Sequence, residues 1–258
     1  MPIRFTLLWL AALIGGIPGL AQAVPLPPPR PALPWDAPRE FAAPLPPPRP
    51  VIIPEARRAQ GEFKLAAAPV GSPCAELLGQ EIVLAETGRI VDAAEGCGME
   101  PTVRLNAVLL PDGTFAKLRP AAVLRCETAL AVARWIREDI AAAALVLGST
   151  LARVEVAASY TCRSRNNVAG AVLSEHSRAN ALDMSAFVLT DGRTLTLTDP
   201  KASAEFIAEL RRSACARFTT VLGPGADRAH EFHLHVDLAE RRGGYRICQW
   251  PERKTASE

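Results

Sequence analysis

Apolar side chains recur at helical spacing where Val123, Cys126, Leu130, Ala133, Ile136 and Ile140 fall on one stripe. The stripe predicts a helix over residues 120–147, opened by Pro120 and ended by Gly148. A strand is expected at residues 154–160. Val188-Leu189 and the alternating Thr194-Leu195-Thr196-Leu197 flank Asp191-Gly192, which reads as a hairpin. A second helix follows over residues 202–214, and short strands over 218–222 and 232–238. In the last of these, Phe232, Leu234, Val236 and Leu238 alternate with His233, His235 and Asp237, so one set predicts a core face and the other a cleft face. Leu182 and Met184 flank Asp183 in the same way. Residues 75–118 show no clear element. This order indicates an α+β fold, a single domain with a mainly antiparallel sheet flanked by helices.

The N-terminal quarter has a different composition. Residues 1–23 carry Arg4, run through an apolar stretch and close on Ala21-Gln22-Ala23, the small-x-small pattern of a signal peptide. An uncleaved anchor is the alternative. Residues 24–66 form a proline-rich linker in which Pro-Leu-Pro-Pro-Pro-Arg-Pro occurs at 25–31 and again at 44–50. Such a segment makes an extended polyproline II spacer rising about 3.1 Å per residue, with a ligand for a proline-recognising domain as the other reading. Residues 67–250 are then one domain, and 251–258 a short charged tail.

Export places the chain in the periplasm or outside the cell, where an even set of cysteines implies disulfides. Cys74, Cys97, Cys126, Cys162, Cys215 and Cys248 permit 15 connectivities. The expected pairing is Cys74–Cys97, Cys126–Cys162 and Cys215–Cys248. A net charge of +2 with mixed signs gives no case for nucleic-acid binding, and nothing after residue 23 is apolar enough to cross a bilayer.

All four histidines fall in or beside two short motifs, Ser174-Glu175-His176 followed by Asp183, and His230-x-x-His233-x-His235. Read as ligands, His176, Asp183 and His235 form a two-histidine, one-carboxylate set that leaves a position on one zinc ion open for water. His233 stands two residues from His235, about 7 Å along a strand. Ordinary packed histidines, or a closed structural site with His233 as fourth ligand, would use the same residues.

Four stretches together resemble the bacterial extensin-like C-terminal domain family. They are Ser159-Tyr160-Thr161-Cys162-Arg163-Ser164-Arg165-Asn166, Leu173-Ser174-Glu175-His176 through Asn180-Ala181-Leu182-Asp183, Thr220-Val221-Leu222-Gly223-Pro224-Gly225, and His230 through Leu238. The same motifs are similar to those of zinc D-alanyl-D-alanine peptidases, the penicillin-insensitive murein endopeptidase and the hedgehog signalling domain. That resemblance implies a fold of their type and zinc held by His176, Asp183 and His235. It also implies His233 as general base, His230 as an additional active-site histidine, and Arg163 near the scissile carbonyl. Asp237 would orient an imidazole. The substrate implied is a peptide bond of peptidoglycan; a zinc-containing wall-binding or structural module without turnover is the alternative. One position departs from the pattern: Ala179 replaces the usual glycine, which matters if that residue needs positive φ.

Overall fold

The computed structural model describes residues 62–67, 70–199 and 204–251; the signal-type segment, both proline-rich repeats and the tail beyond 251 lie outside the described residues. The first strand, β1 (Glu62–Leu65), falls inside the last residues of the expected linker and pairs antiparallel with β2 (Val83–Val91), so the sheet begins before residue 67. Between them lies α1 (Pro73–Gly79). Ser72 caps it by accepting from the Ala75 amide, and Pro73 occupies its first turn, where a missing N–H costs nothing. The stretch without an expectation therefore contains α1, β2, β3 (Met99–Leu109) and the start of β4 (Phe115–Arg125).

Pro120 does not open a helix. It lies within β4, and the helix starts at Cys126 as α2 (Cys126–Trp135), continuing through a π-helical turn (Ile136–Ile140) into α3 (Ala141–Val146). The register between β3 and β4 explains how a strand tolerates proline here: Leu105 pairs with Ala122 and Ala107 with Lys117, so residues 118–121 bulge opposite Asn106 and break the ladder. Ala116 and Leu118, and beyond the bulge Ala122 and Leu124, are buried, which is strand alternation, and Leu118 and Arg119 still pair with the neighbouring strand on the other side.

The remaining elements are β5 (Leu151–Ala158), β6 (Ala181–Leu189), β7 (Thr194–Thr196), α4 (Ala204–Arg217), β8 (Thr220–Leu222), β9 (Leu234–Asp237) and β10 (Ile247–Gln249). They complete one mixed sheet in the order β1-β2-β3-β4-β5-β6-β9-β8-β10, with β7 paired to β6 across the Asp191-Gly192 turn. Among the described residues only β4–β5 and β8–β10 are parallel pairs, so the fold is α+β with a mainly antiparallel sheet.

The helices cover one face. Trp135 meets Phe218 edge-on at 5.4 Å and donates its indole N–H to Ser213 Oγ at 2.9 Å, while Phe187 of β6 meets Phe206 of α4 at 5.8 Å. Each of these rings is almost fully buried and contributes roughly 2–3 kcal/mol of apolar burial. β6 is buried along nearly all its length, with Phe206 of α4 against Phe187 and the Glu175–Arg178 turn packed on the strand.

Three disulfides lock the loops. Cys215–Cys248 pair as expected, whereas the other four join as Cys74–Cys126 and Cys97–Cys162. The expected Cys74–Cys97 and Cys126–Cys162 are ruled out by topology: α1 packs on α2, placing Cys74 beside Cys126 with Cα atoms 4.8 Å apart.

Candidate metal centre

Asp183 and His235 stand directly opposite one another on the antiparallel pair β6–β9, flanked by buried Leu182, Met184, Leu234 and Val236 pointing the other way. The alternation read from the sequence therefore holds for β6 and within β9. It fails before β9 begins: Phe232 is 67 % exposed and does not join the core, because the chain is not yet extended there.

His176 arrives on a short 3₁₀ turn, Glu175–Arg178, that Ser174 caps by accepting from the His176 amide. Several contacts fix this turn. Thr128 of α2 donates to Asn180 Oδ1 at 2.8 Å, and Asn180 Nδ2 donates to Glu175 at 2.6 Å. Ser177 Oγ donates to the Arg163 carbonyl at 2.8 Å and accepts from its amide at 3.0 Å. Ala179 ends the turn at φ 51°, the left-handed region, so the substitution for glycine does fall where positive φ is needed and carries local strain. The neighbouring loop is tied to the sheet by Cys97–Cys162 and by Tyr160, whose hydroxyl donates to Asp92 at 2.6 Å. Burial and then the Asp92 contact push the Tyr160 phenol above its ordinary value.

His176 Nδ1 lies 2.6 Å from the Ser159 carbonyl, to which it donates. In the neutral ring Nε2 then carries a lone pair, and it faces Asp183 Oδ2 and His235 Nδ1, each at 3.2 Å. His235 Nδ1 is 2.8 Å from Asp183 Oδ1, and its other nitrogen, Nε2, is 3.1 Å from Asp237 Oδ2. Asp237 is itself held by the Thr220 hydroxyl and the Ala239 amide. Each imidazole thus has its far nitrogen anchored and its near nitrogen turned toward one carboxylate, the outer arrangement that orients metal ligands. The donor atoms of His176, Asp183 and His235 lie within 4.8 Å of one another, all three residues buried. Two of the spacings match the roughly 3.3 Å edge of a tetrahedron built on bonds of about 2.0 Å. Three acceptors in such proximity require a shared cation, a metal ion or a proton, so the residues fit a metal.

The electrostatics agree. Burial alone would raise the Asp183 carboxyl, but His176 and His235 outweigh it and hold it well below the usual range. Burial lowers His235, yet its hydrogen bonds to Asp183 and Asp237 prevail and bring it up to about 9. His233 is pulled below its ordinary value by burial, with Asp183 opposing. Its Nε2 lies 3.5 Å from Asp183 Oδ2, and its ring lies against His230, 5.2 Å between centroids. His230 also meets His235 at 5.5 Å, so all four imidazoles cluster.

His176, His230, His235, Asp237 and Arg163 line a single cleft. Sequence reasoning did not single out Asp227, Ser159 or Thr220. Asp227 Oδ1 is 2.7 Å from His230 Nδ1 and also caps the turn Arg228–His230; its position just before a helical turn is the N-cap signal that could have found it. Ser159 acts through its backbone carbonyl and leaves no trace in residue type.

The family described as Extensin-like protein C-terminus matches residues 72–249, a span that takes in all six cysteines and all four histidines. No curated protein and no solved structure matches the chain.

Proposed function

The chain belongs to the Extensin-like protein C-terminus family, and from that premise we propose that its histidine cluster is the active site of an exported zinc-dependent peptidase that hydrolyses amide bonds of peptidoglycan. The observation that carries this reading is the convergence of His176 Nε2, the Asp183 carboxylate and His235 Nδ1, with His233 Nε2 3.5 Å from Asp183 and with His176, His230 and His235 lining an open cleft. When bound, zinc would polarise an amide carbonyl and make water a nucleophile near neutral pH.

The chain's own residues supply the rest. His233, held below its ordinary value, is a neutral imidazole at pH 7 and can take the proton from the attacking water. The leaving amine takes up the proton that His233 has accepted, or one carried by His230, which Asp227 orients, with the proton on His233 then restoring His230. Arg163 lines the same cleft as a cation for the oxyanion. Asp237 and the Ser159 carbonyl hold the ligand rings in orientation. Export by residues 1–23, together with the motif similarity to zinc D-alanyl-D-alanine peptidases and murein endopeptidases, supports a wall peptide as substrate and a related fold.

The test is the metal content of the purified protein together with digestion of purified peptidoglycan by wild type and His233→Ala. About one zinc per chain in both, with new peptide fragments from wild type alone, is the expected result. Zinc without fragments would make the protein a non-catalytic wall-binding module, and absence of metal would overturn the site.

A further inference from the structure

The charged groups of the cleft are almost all committed to one another. Glu175 accepts from Asn180, Asp227 from His230, and Asp237 from His235 and Thr220. Arg241 donates to the carbonyls of Thr219 and Ala239 and to the Thr220 hydroxyl. Arg165 lines the same cleft and is exposed, and among the described residues its guanidinium has no hydrogen-bond or ion-pair partner. Its backbone is nevertheless fixed. The Arg165 amide donates to Val172 at 2.9 Å, its carbonyl accepts from Val168 at 3.1 Å, and Ser164 Oγ donates to the Val168 carbonyl at 2.7 Å. Asn166 follows at φ 52°, a conformation asparagine tolerates, and its side chain lines the cleft as well.

A guanidinium carried on a fixed backbone and, among the described residues, left without a counter-ion can receive a planar anion, since its parallel N–H groups match the two oxygens of a carboxylate. We infer that Arg165, with the Asn166 amide beside it, is a specificity residue that binds a carboxylate of the peptide whose amide reaches the neighbouring histidines. The site therefore selects acidic peptides. The inference rests on the peptidase reading for the identity of the ligand.

The probes are soluble fragments released from peptidoglycan by a muramidase, and the same fragments with their carboxyl groups converted to amides. Affinity is measured with zinc-loaded full-length protein carrying His233→Ala, so that the fragments are not consumed, and cleavage with wild type. Native fragments should bind about tenfold more tightly than amidated ones, the value of one charged hydrogen-bonded contact. Arg165→Gln should abolish the difference, Arg165→Lys should retain part of it, and added salt should shrink it. Zinc content and thermal midpoint should be unchanged in both variants, because Arg165 is exposed and holds nothing else. Equal affinity for the two probes, no binding of native fragments, or a preference that survives Arg165→Gln would each overturn the inference. An Arg165-dependent preference without cleavage would refute the peptidase and leave the carboxylate site standing; cleavage without preference would do the reverse.

Discussion

Metal uptake by this site should expel a proton. In the metal-free protein His235 lies between two carboxylates, Nδ1 at 2.8 Å from Asp183 and Nε2 at 3.1 Å from Asp237, and its pKa is raised to about 9. At pH 7.5 that imidazole carries a proton on the nitrogen a metal must use, so binding zinc has to displace it. The expected stoichiometry is close to one proton released per ion between pH 7 and 8. Apparent affinity should rise about tenfold per pH unit toward pH 9 and flatten above it. An unperturbed histidine near 6.5 would show its plateau well below that. Calorimetric titrations in two buffers of different ionisation enthalpy give the proton count directly, and competition with a chromophoric chelator gives the slope. The same interaction sets stability without metal. His235 contributes stabilisation that is complete below pH 6.5 and lost as pH rises through 9, so the metal-free thermal midpoint should fall over that interval while the zinc-loaded one does not. Asp183 and Asp237, held low, lose their contribution in acid, and these are two views of one interaction, not additive terms. A proton count near zero at pH 7.5, or an affinity flat from pH 7 to 9, would refute the reasoning.

Gly223 follows β8, and a Cβ built on it would overlap the buried indole ring of Trp250. Gly223→Ala should therefore destabilise the domain by about 1–3 kcal/mol, read as a lower urea midpoint, and an unchanged midpoint would contradict that packing. Replacing Cys97 and Cys162 together by serine opens a loop with sequence separation 65, for which chain entropy assigns about 4 kcal/mol. Because Cys162 shares a loop with the Ser159 carbonyl that orients His176, zinc affinity should fall with the thermal midpoint; a fall in midpoint alone would separate the loop from the site. Stripping metal with a chelator at pH 6.5 should leave the near-ultraviolet circular dichroism intact, since the buried aromatic core and the disulfides do not depend on the ligands. Loss of that signal would make the site structural.

The juxtaposition of Asp183 and His235 was legible because it follows strand alternation: apolar Leu182, Met184, Leu234 and Val236 face the core, so Asp183 and His235 must face away. The misplaced helix start has a related cause. Val123 and Cys126 fit a helical stripe as well as the end of a strand, and Pro120 favours a helix start until a bulge gives it a place in the ladder. Phe232 was misread because alternation says nothing about where a strand begins. Of the disulfides, Cys215–Cys248 was paired as expected, but Cys74–Cys126 and Cys97–Cys162 were beyond reach, as pairing depends on which loops the fold brings together and not on their order. Neither the Ser159 carbonyl nor the Arg165 guanidinium, which has no partner among the described residues, has a signature in residue type; both become visible only in the folded chain.

The architecture divides the site into a fixed part and an adjustable one. Asp183 and His235 are locked by β-register, since a slip of one residue in β9 would move His235 onto the core face and leave an apolar side chain opposite Asp183. The apolar packing that stabilises the sheet is therefore the same constraint that aligns the ligands, and His176 is pinned to it from outside by Asn180, Ser177 and the Cys97–Cys162 loop. His230 and His233 precede β9, on a turn held mainly by Asp227, and Arg163 and Arg165 sit on a separate loop. Changes in those loops leave the strand register alone, whereas changes at Leu182, Met184, Leu234 or Val236 act on the core and on the candidate ligands together.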